Sequence, residues 1–296
     1  MGAKLRVVRR RIRSVQSTMK ITRAMELIAA SRILKAQQRV EAARPYAELL
    51  TRAMEDVARQ TGALVHPLLE ERAEPARVGV LVITSDRGLA GSYNANVLRL
   101  AEDLMDSIRA RGCEPVVYTT GKKGMSYFRF RGVPLAASWS GFSEVPPYRA
   151  AVEIGRRLIA DFAEGRIDEQ HVVYTDFRSA FTQRATSKRF LPISPTEVRD
   201  VRPRPHPEYL FEPGPNEILD ELLPQYVITK VYAALLESAA SENAARRRAM
   251  KAATDNAEEL VKVLTRQANR ARQDEITMEI MDIVGGAEAL ASASEG

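Results

Sequence analysis

Cysteine is almost missing: Cys113 stands alone among 296 residues. No internal disulfide can form, so the chain suits a reducing compartment or a fold that needs no bridge. Long hydrophobic runs are missing too. The most apolar stretch, within Val78 to Thr84, falls far short of the ~18 residues that a membrane-spanning helix needs. Glycine and proline are absent from Ala3 to Arg44 and again from Gln225 to Val284, and the loss of both breakers favours continuous helix. Histidine is scarce. His66, His171 and His206 have no second histidine or cysteine three or four residues away, which argues against metal ligation. No acidic side chain precedes Glu26. An Arg-rich, acid-free start can imitate a mitochondrial presequence, but serine is sparse there and the helical pattern continues unbroken.

What is present is unevenly spread. At roughly 150 residues per domain the length allows about two folding units. The chain carries 44 Lys and Arg against 38 Asp and Glu, a surplus of six that is too modest to argue for nucleic acid by itself. Residues 1–44 hold twelve of the basic side chains and only two acidic ones, Glu26 and Glu41. Aromatic residues show the opposite bias, with fifteen of eighteen between Tyr93 and Phe211. Turn-rich joints lie at Thr61 to Pro75 and at Pro203 to Pro215, the second with five prolines in thirteen residues.

The opening segment keeps a 3.5-residue beat from Leu5, Val8, Ile12, Val15, Met19, Thr22, Glu26, Ala29 and Ile33 to Ala36, Val40, Ala43, Ala47, Leu50, Met54 and Val57. Only Thr22 and Glu26 in this seam are polar, the pattern of a coiled-coil helix. Pro45 falls between seam positions, where it should kink the rod or mark a junction without ending it. At ~1.5 Å per residue the rod would run to roughly 80 Å, longer than a compact domain is wide. The closing segment gives Ala249, Ala253, Ala257, Leu260, Leu264, Ala268 and Ala271, a spacing near an 11-residue repeat. Small residues on one helix facing larger ones on the other predict that the two ends pair, antiparallel because the central domain separates them; neither would be stable alone in water. Beyond Ala271, Ile276, Met278, Ile280, Met281, Ile283 and Val284 cover about two-thirds of the helical wheel. One partner helix cannot cover that surface; either the chain's own globular part or another protein must.

Between the ends, Val78 to Thr84 reads as a strand buried on both faces. A loop, Ser85 to Gly91, and a helical stretch to Arg111 follow. Pro115 to Thr120 and Gln170 to Thr175 read as further strands, and Tyr148 to Phe162 as a helix. Alternating strands and helices predict a parallel, doubly wound sheet. The fold class is therefore α/β plus a coiled coil formed by the two termini.

Chemistry is hard to find. A glycine loop after a buried strand invites phosphate, but G-x-x-G matches neither nucleotide fingerprint, and a tight turn explains it better. Gly121-Lys122-Lys123-Gly124 is weaker still. Cys113 has no nearby histidine and reads as a small apolar residue. No carboxylates form a recognisable acid–base pair. No active site and no cofactor are expected. Arg6, Arg9, Arg10, Arg11 and Arg13 could grip phosphates as a basic-region helix does, which keeps a basic coiled-coil nucleic-acid-binding protein as the competing class. The seam, however, runs straight through these arginines, whereas a gripping region normally lies beyond its zipper.

Four separated blocks resemble the gamma subunit family of F-type ATP synthases: Ile12 to Val15 with Met19 to Ser31; Ser85 to Gly91 with Asn94 and Asn96; Met250 to Ala257 with Asn269 to Gln273; and Ile276-Thr277-x-Glu279-x-x-Asp282-x-x-x-Gly286-Ala287. The resemblance implies a central-stalk rotor with coiled-coil helices over residues 1–62 and 216–296. It also implies a Rossmann-like domain over 75–202 and a proline-rich foot over 203–215. Its implied partners are the alpha and beta subunits of a catalytic hexamer, an epsilon subunit and a membrane c ring, with ATP chemistry in the beta subunits. Position by position, Met25, Arg272, Gln273, Thr277 and Glu279 resemble beta-subunit contacts. Ile276, Ile280, Met281, Ile283 and Val284 resemble a bearing inside the hexamer. Tyr209 and Glu212 resemble contacts to the c ring and epsilon. The cysteine-bearing insertion of chloroplast relatives is missing, so thiol control is not expected. The absence of a presequence favours a bacterial protein at the cytoplasmic face of the cell membrane.

Overall fold

A computed structural model describes residues 3–61, 66–179, 181–194 and 214–294. The element order is α1 (Ala3–Thr61), a short 3-10 turn (Pro67–Leu69), β1 (Arg77–Ile83), α2 (Tyr93–Ala110), β2 (Glu114–Thr120) and α3 (Lys122–Phe130). Then come β3 (Leu135–Trp139), α4 (Tyr148–Ala163), β4 (Glu169–Phe177), β5 (Gln183–Leu191) and α5 (Pro215–Ser294). Missing breakers do produce long helices: α1 has 59 residues and α5 has 80. Pro45 and Pro224 lie inside them without ending either one. The chain divides into two compact units, residues 29–246 and residues 1–28 with 247–296.

In the first unit the five-stranded sheet runs β3-β2-β1-β4-β5. β1 lies parallel to β2 and β4, and β2 parallel to β3. β5 is antiparallel to β4, which corrects the all-parallel expectation. Neither edge strand carries the continuous apolar run that marked β1. β3 (LAASW) alternates half-buried with exposed residues, and β5 (QRATSKRFL) is polar for most of its length. Helix α3 also has no counterpart in the sequence reading. Each face of the central strand feeds its own core, as the two-residue period requires. Val78, Val80 and Val82 pack with Val97, Ala101, Met105 and Phe128 of α2 and α3. Leu81 packs with Ile154 and Leu158 of α4 and with Ile228, Val231 and Leu235 of α5. A third cluster joins Met54 and Val57 of α1 to Leu219, Leu223 and Val227 of α5. Helices α4 and α5 approach so closely at Gly155 that a Cβ there would lie 2.7 Å from Ile228 Cγ1.

Where the β4–β5 ladder meets α5, burial, and then the neighbouring Asp176 carboxylate, push the Glu237 carboxyl up to about 7. Lys188 opposes that rise without cancelling it. Because the folded value lies above the unfolded one, Glu237 favours the folded chain at low pH, and this contribution is lost as pH rises through about 7. Glu237→Gln, which mimics the protonated acid, is expected to raise the melting temperature at pH 8 and leave it nearly unchanged at pH 5. Thermal unfolding followed by circular dichroism at the two pH values checks this.

In the second unit, α1 and α5 run antiparallel. The Thr22 and Thr254 hydroxyls meet at 2.8 Å, one donating to the other. Every position of the α1 seam up to Glu26 is buried or half-buried. On α5 the deepest line is Met250, Thr254, Ala257, Val261, Leu264, Ala268 and Ala271, whose steps alternate 4 and 3, with Ala249 and Ala253 of the expected stripe half-buried beside it. The 11-residue reading is corrected at Leu260 alone. Leu260 drew that reading because it is the larger apolar side chain, yet it is 46% exposed while its neighbour Val261 turns inward. Carried along the pair, the Thr22–Thr254 register sets Ile12 opposite Leu264 and Val8 opposite Ala268, apolar against apolar. The register has a direct test. Thr22→Cys with Thr254→Cys is expected to form an intrachain disulfide under mild oxidation, with Cys113 buried and not competing. A Thr22→Cys, Thr265→Cys pair, about three turns out of register, is expected to stay reduced; bridging there instead would refute the alignment.

Candidate functional site

The loop after β1 sits where open α/β sheets bind ligands, beyond the carboxyl ends of the strands. Here the chain fills that place itself. The Asp86 carboxylate accepts hydrogen bonds from the backbone N–H groups of Gly141 at 2.8 Å, Ser143 at 3.0 Å and Lys122, at the start of α3, at 3.2 Å. Converging amides and a helix start are the usual receptacle for a phosphate; an internal carboxylate occupies this one. The loop is locked further. Ser85 N–H donates to Asn94 Oδ1, Asp86 N–H to Ser143 Oγ, and Gly124 N–H to Thr84 Oγ1. Gly121 adopts φ 88°, and a Cβ on it would lie 2.2 Å from the Thr84 carbonyl oxygen. The crevice at the end of β4 is closed as well: Thr175 N–H donates to Ser238 Oγ of α5, and Ser241 Oγ donates to the Thr175 carbonyl. The G-x-x-G loop is therefore a braced turn.

What braces it is a buried polar junction that sequence reasoning missed. Arg246 of α5 is 4% exposed. Its guanidinium donates to Glu242 Oε1 at 2.6 Å and to the Gly88 carbonyl at 3.4 Å, and it pairs with Glu144 at 3.4 Å. Glu144, in the loop after β3, also pairs with Arg32 of α1. Two acids and two arginines thus tie α1, α5 and two sheet loops to one another. Glu242 is 1% exposed, and burial raises its carboxyl pKa even though Arg246 acts against the rise. A signal was available. Glu242 and Arg246 stand four apart in the stretch Ser238-Ala239-Ala240-Ser241-Glu242-Asn243-Ala244-Ala245-Arg246, where an i,i+4 ion pair among small residues suits a helix buried on most sides.

In the helical-pair unit the residues singled out from sequence are mostly on display. Met25 is half-buried. Arg272, Gln273, Thr277 and Glu279 are exposed on successive turns of α5, and Thr277 Oγ1 donates to the Gln273 carbonyl at 2.9 Å. Among and beyond them the helix keeps its apolar side chains in the open: Ile276 45%, Ile280 55%, Met281 70%, Ile283 71% and Val284 51% exposed. An exposed apolar surface of this extent marks an interaction site. On α1, Arg6, Arg9 and Arg13 line a shallow groove with Ile12. Tyr209 and Glu212 lie outside the described residues. No helix is long and apolar enough to cross a membrane among the described residues.

Comparison with known proteins gives these surfaces a family. A family model described as ATP synthase matches residues 4–290. The chain is 57% identical over 304 residues to an ATP synthase gamma chain of Acidothermus cellulolyticus, covering 100% of both chains. It is 56% identical to that of Thermobifida fusca, covering 100% of this chain and 99% of that one. Its fold is similar to a chain in the rotor of the Euglena gracilis mitochondrial ATP synthase, with a TM-score of 0.67, 17% identity, and 93% of this chain and 100% of that chain covered. A second Euglena gracilis structure, of OSCP, F1 and c-ring, gives a TM-score of 0.69 at 16% identity over 100% of this chain and 97% of that one. The chain belongs to the family of ATP synthase gamma chains.

Proposed function

We propose that this chain is the central-stalk rotor of a bacterial, proton-translocating ATP synthase. It couples rotation of a membrane c ring to conformational change in the catalytic beta subunits. The observation that carries this reading is the exposed apolar end of α5, on a helix that is zipped to α1 further back along its length. Ile276, Ile280, Met281, Ile283 and Val284 form a bearing against an apolar sleeve of three alpha and three beta subunits. Such a surface gains burial energy at every angle and has few directional bonds to break on turning.

Met25, Arg272, Gln273, Thr277 and Glu279 make the contacts that differ between the three beta subunits. Only a difference in contact energy can shift a neighbour's conformational equilibrium, so an asymmetric pair of helices inside a threefold ring sets the three sites in different states. Tyr209 and Glu212 meet the c ring and the epsilon subunit. The chain itself performs no catalysis: a carboxylate and a helix fill the crevice where a nucleotide would sit, and ATP chemistry belongs to the beta subunits. It works at the cytoplasmic face of the membrane and touches it only through the c ring.

Tagged full-length chain, co-expressed with alpha and beta subunits, tests the reading. Both subunits are expected to co-purify and to remain bound in high salt, since apolar burial holds the bearing. Release by salt, as for a phosphate-held complex, would overturn it.

A further inference from the structure

Most threonines inside these helices follow one habit, Thr22 donating three residues back instead. Thr18, Thr51, Thr254, Thr265 and Thr277 each donate to the carbonyl four residues back. Thr229 of α5 departs from it: it is 7% exposed, its Oγ1 makes no hydrogen bond of ordinary length among the described residues, and the group set against it is the Tyr148 hydroxyl.

Thr229 lines a cavity of about 520 Å³ bounded also by Arg39 and Tyr46 of α1, Tyr148 of α4 and Tyr232 of α5. Tyr148 and Tyr232 stand edge to face with centroids 5.3 Å apart. Tyr46 is 49% and Tyr148 41% exposed, so aromatic surface is open to whatever enters. Arg39 is exposed and makes no ion pair among the described residues. The cavity therefore offers aromatic walls, the Thr229–Tyr148 hydroxyl pair and an exposed cation.

We propose that this cavity between α1, α4 and α5 binds a small aromatic anion. A planar ring packs on Tyr46, Tyr148 and Tyr232; an N–H or O–H of the ligand meets Thr229 Oγ1 after rotation about one side-chain bond; the negative group pairs with Arg39. Aromatic contact supplies most of the affinity. The guanidinium selects charge. Nothing in this proposal depends on the rotor reading, because it concerns the 29–246 unit alone.

The test uses full-length chain carrying Met281→Glu and Ile283→Glu, which stops dye from adhering to the exposed apolar end. Two fluorescent probes are titrated: 8-anilinonaphthalene-1-sulfonate and its uncharged counterpart N-phenyl-1-naphthylamine. One saturable site is expected for each. Arg39→Gln, on an exposed side chain, is expected to weaken the sulfonate by at least about fivefold and leave the neutral probe unchanged. Thr229→Val, which keeps side-chain volume, is expected to weaken both by at least about threefold. Tyr46→Ala, a half-exposed position that tolerates truncation, is expected to weaken both as well. Affinities indifferent to all three substitutions, or an Arg39→Gln effect equal for the two probes, would overturn the proposal.

Discussion

Replacing Arg246 by alanine is expected to lower the stability of the 29–246 unit by about 3–5 kcal/mol, the usual cost of removing one partner of a buried ion pair. The cause is the acid left behind. Glu242 is almost fully enclosed, and Arg246 is the cation held against it at 2.6 Å. Glu144 keeps Arg32 as a partner and suffers less. The sign of the pH dependence follows. Without Arg246 the buried Glu242 carboxyl rises further, so the loss is largest at pH 8 and shrinks toward pH 5 as the acid takes up a proton. Arg246→Met with Glu242→Leu removes both charges and is expected to recover most of the stability while losing the bond to Gly88. In the assembled enzyme this pair of variants separates strength from stiffness. If the junction carries torque between sheet and helices, the restored double variant should still show reduced coupling between ATP hydrolysis and proton transport. Denaturant unfolding of the chain and proton pumping by reconstituted vesicles give the two readings. A stable, fully coupled Arg246→Ala enzyme would remove the junction from the account.

Met281→Glu with Ile283→Glu is the second large effect, and it falls on association alone. Both side chains are about 70% exposed in the free chain, so helix content and melting temperature should not change. Burying each in an apolar sleeve is worth roughly 1.5–3 kcal/mol, and a carboxylate there adds a desolvation cost. Binding to the alpha–beta hexamer is expected to weaken by roughly a hundredfold or more, measured by retention on immobilised hexamer. Unchanged retention would place the bearing elsewhere.

The two helices were legible because their evidence is local. Missing breakers and a repeated apolar beat fix helix and seam without knowledge of any partner, and the α1 seam is enclosed from Leu5 to Val57. The expected α5 stripe fails only at Leu260, because alanine-rich sequence offers two nearly equal stripes and burial alone decides between Leu260 and Val261. In the sheet, β1 announced itself through a run buried on both faces, whereas β3 and β5 lie at edges where half of each strand faces water. The antiparallel direction of β5 is a property of pairing and leaves no trace in composition. Beyond the Glu242–Arg246 spacing, the junction left no trace for the same reason. Arg32, Glu144 and Arg246 are separated by more than a hundred residues in two steps, and only the fold brings them together. Asp86 was noticed as part of a motif, but its role as the anion inside its own loop depends on amides from Lys122, Gly141 and Ser143 that no spacing connects to it.

The central claim is that this chain is the rotor of an ATP synthase. Phe130 is 90% exposed and the native cysteine is buried, so Phe130→Cys provides one reactive thiol for a bead while the hexamer is held on glass. With ATP present, the bead is expected to rotate continuously in one direction, and to stop when ATP is withdrawn. A hexamer that hydrolyses ATP at full rate with this chain bound and the bead still would contradict the account.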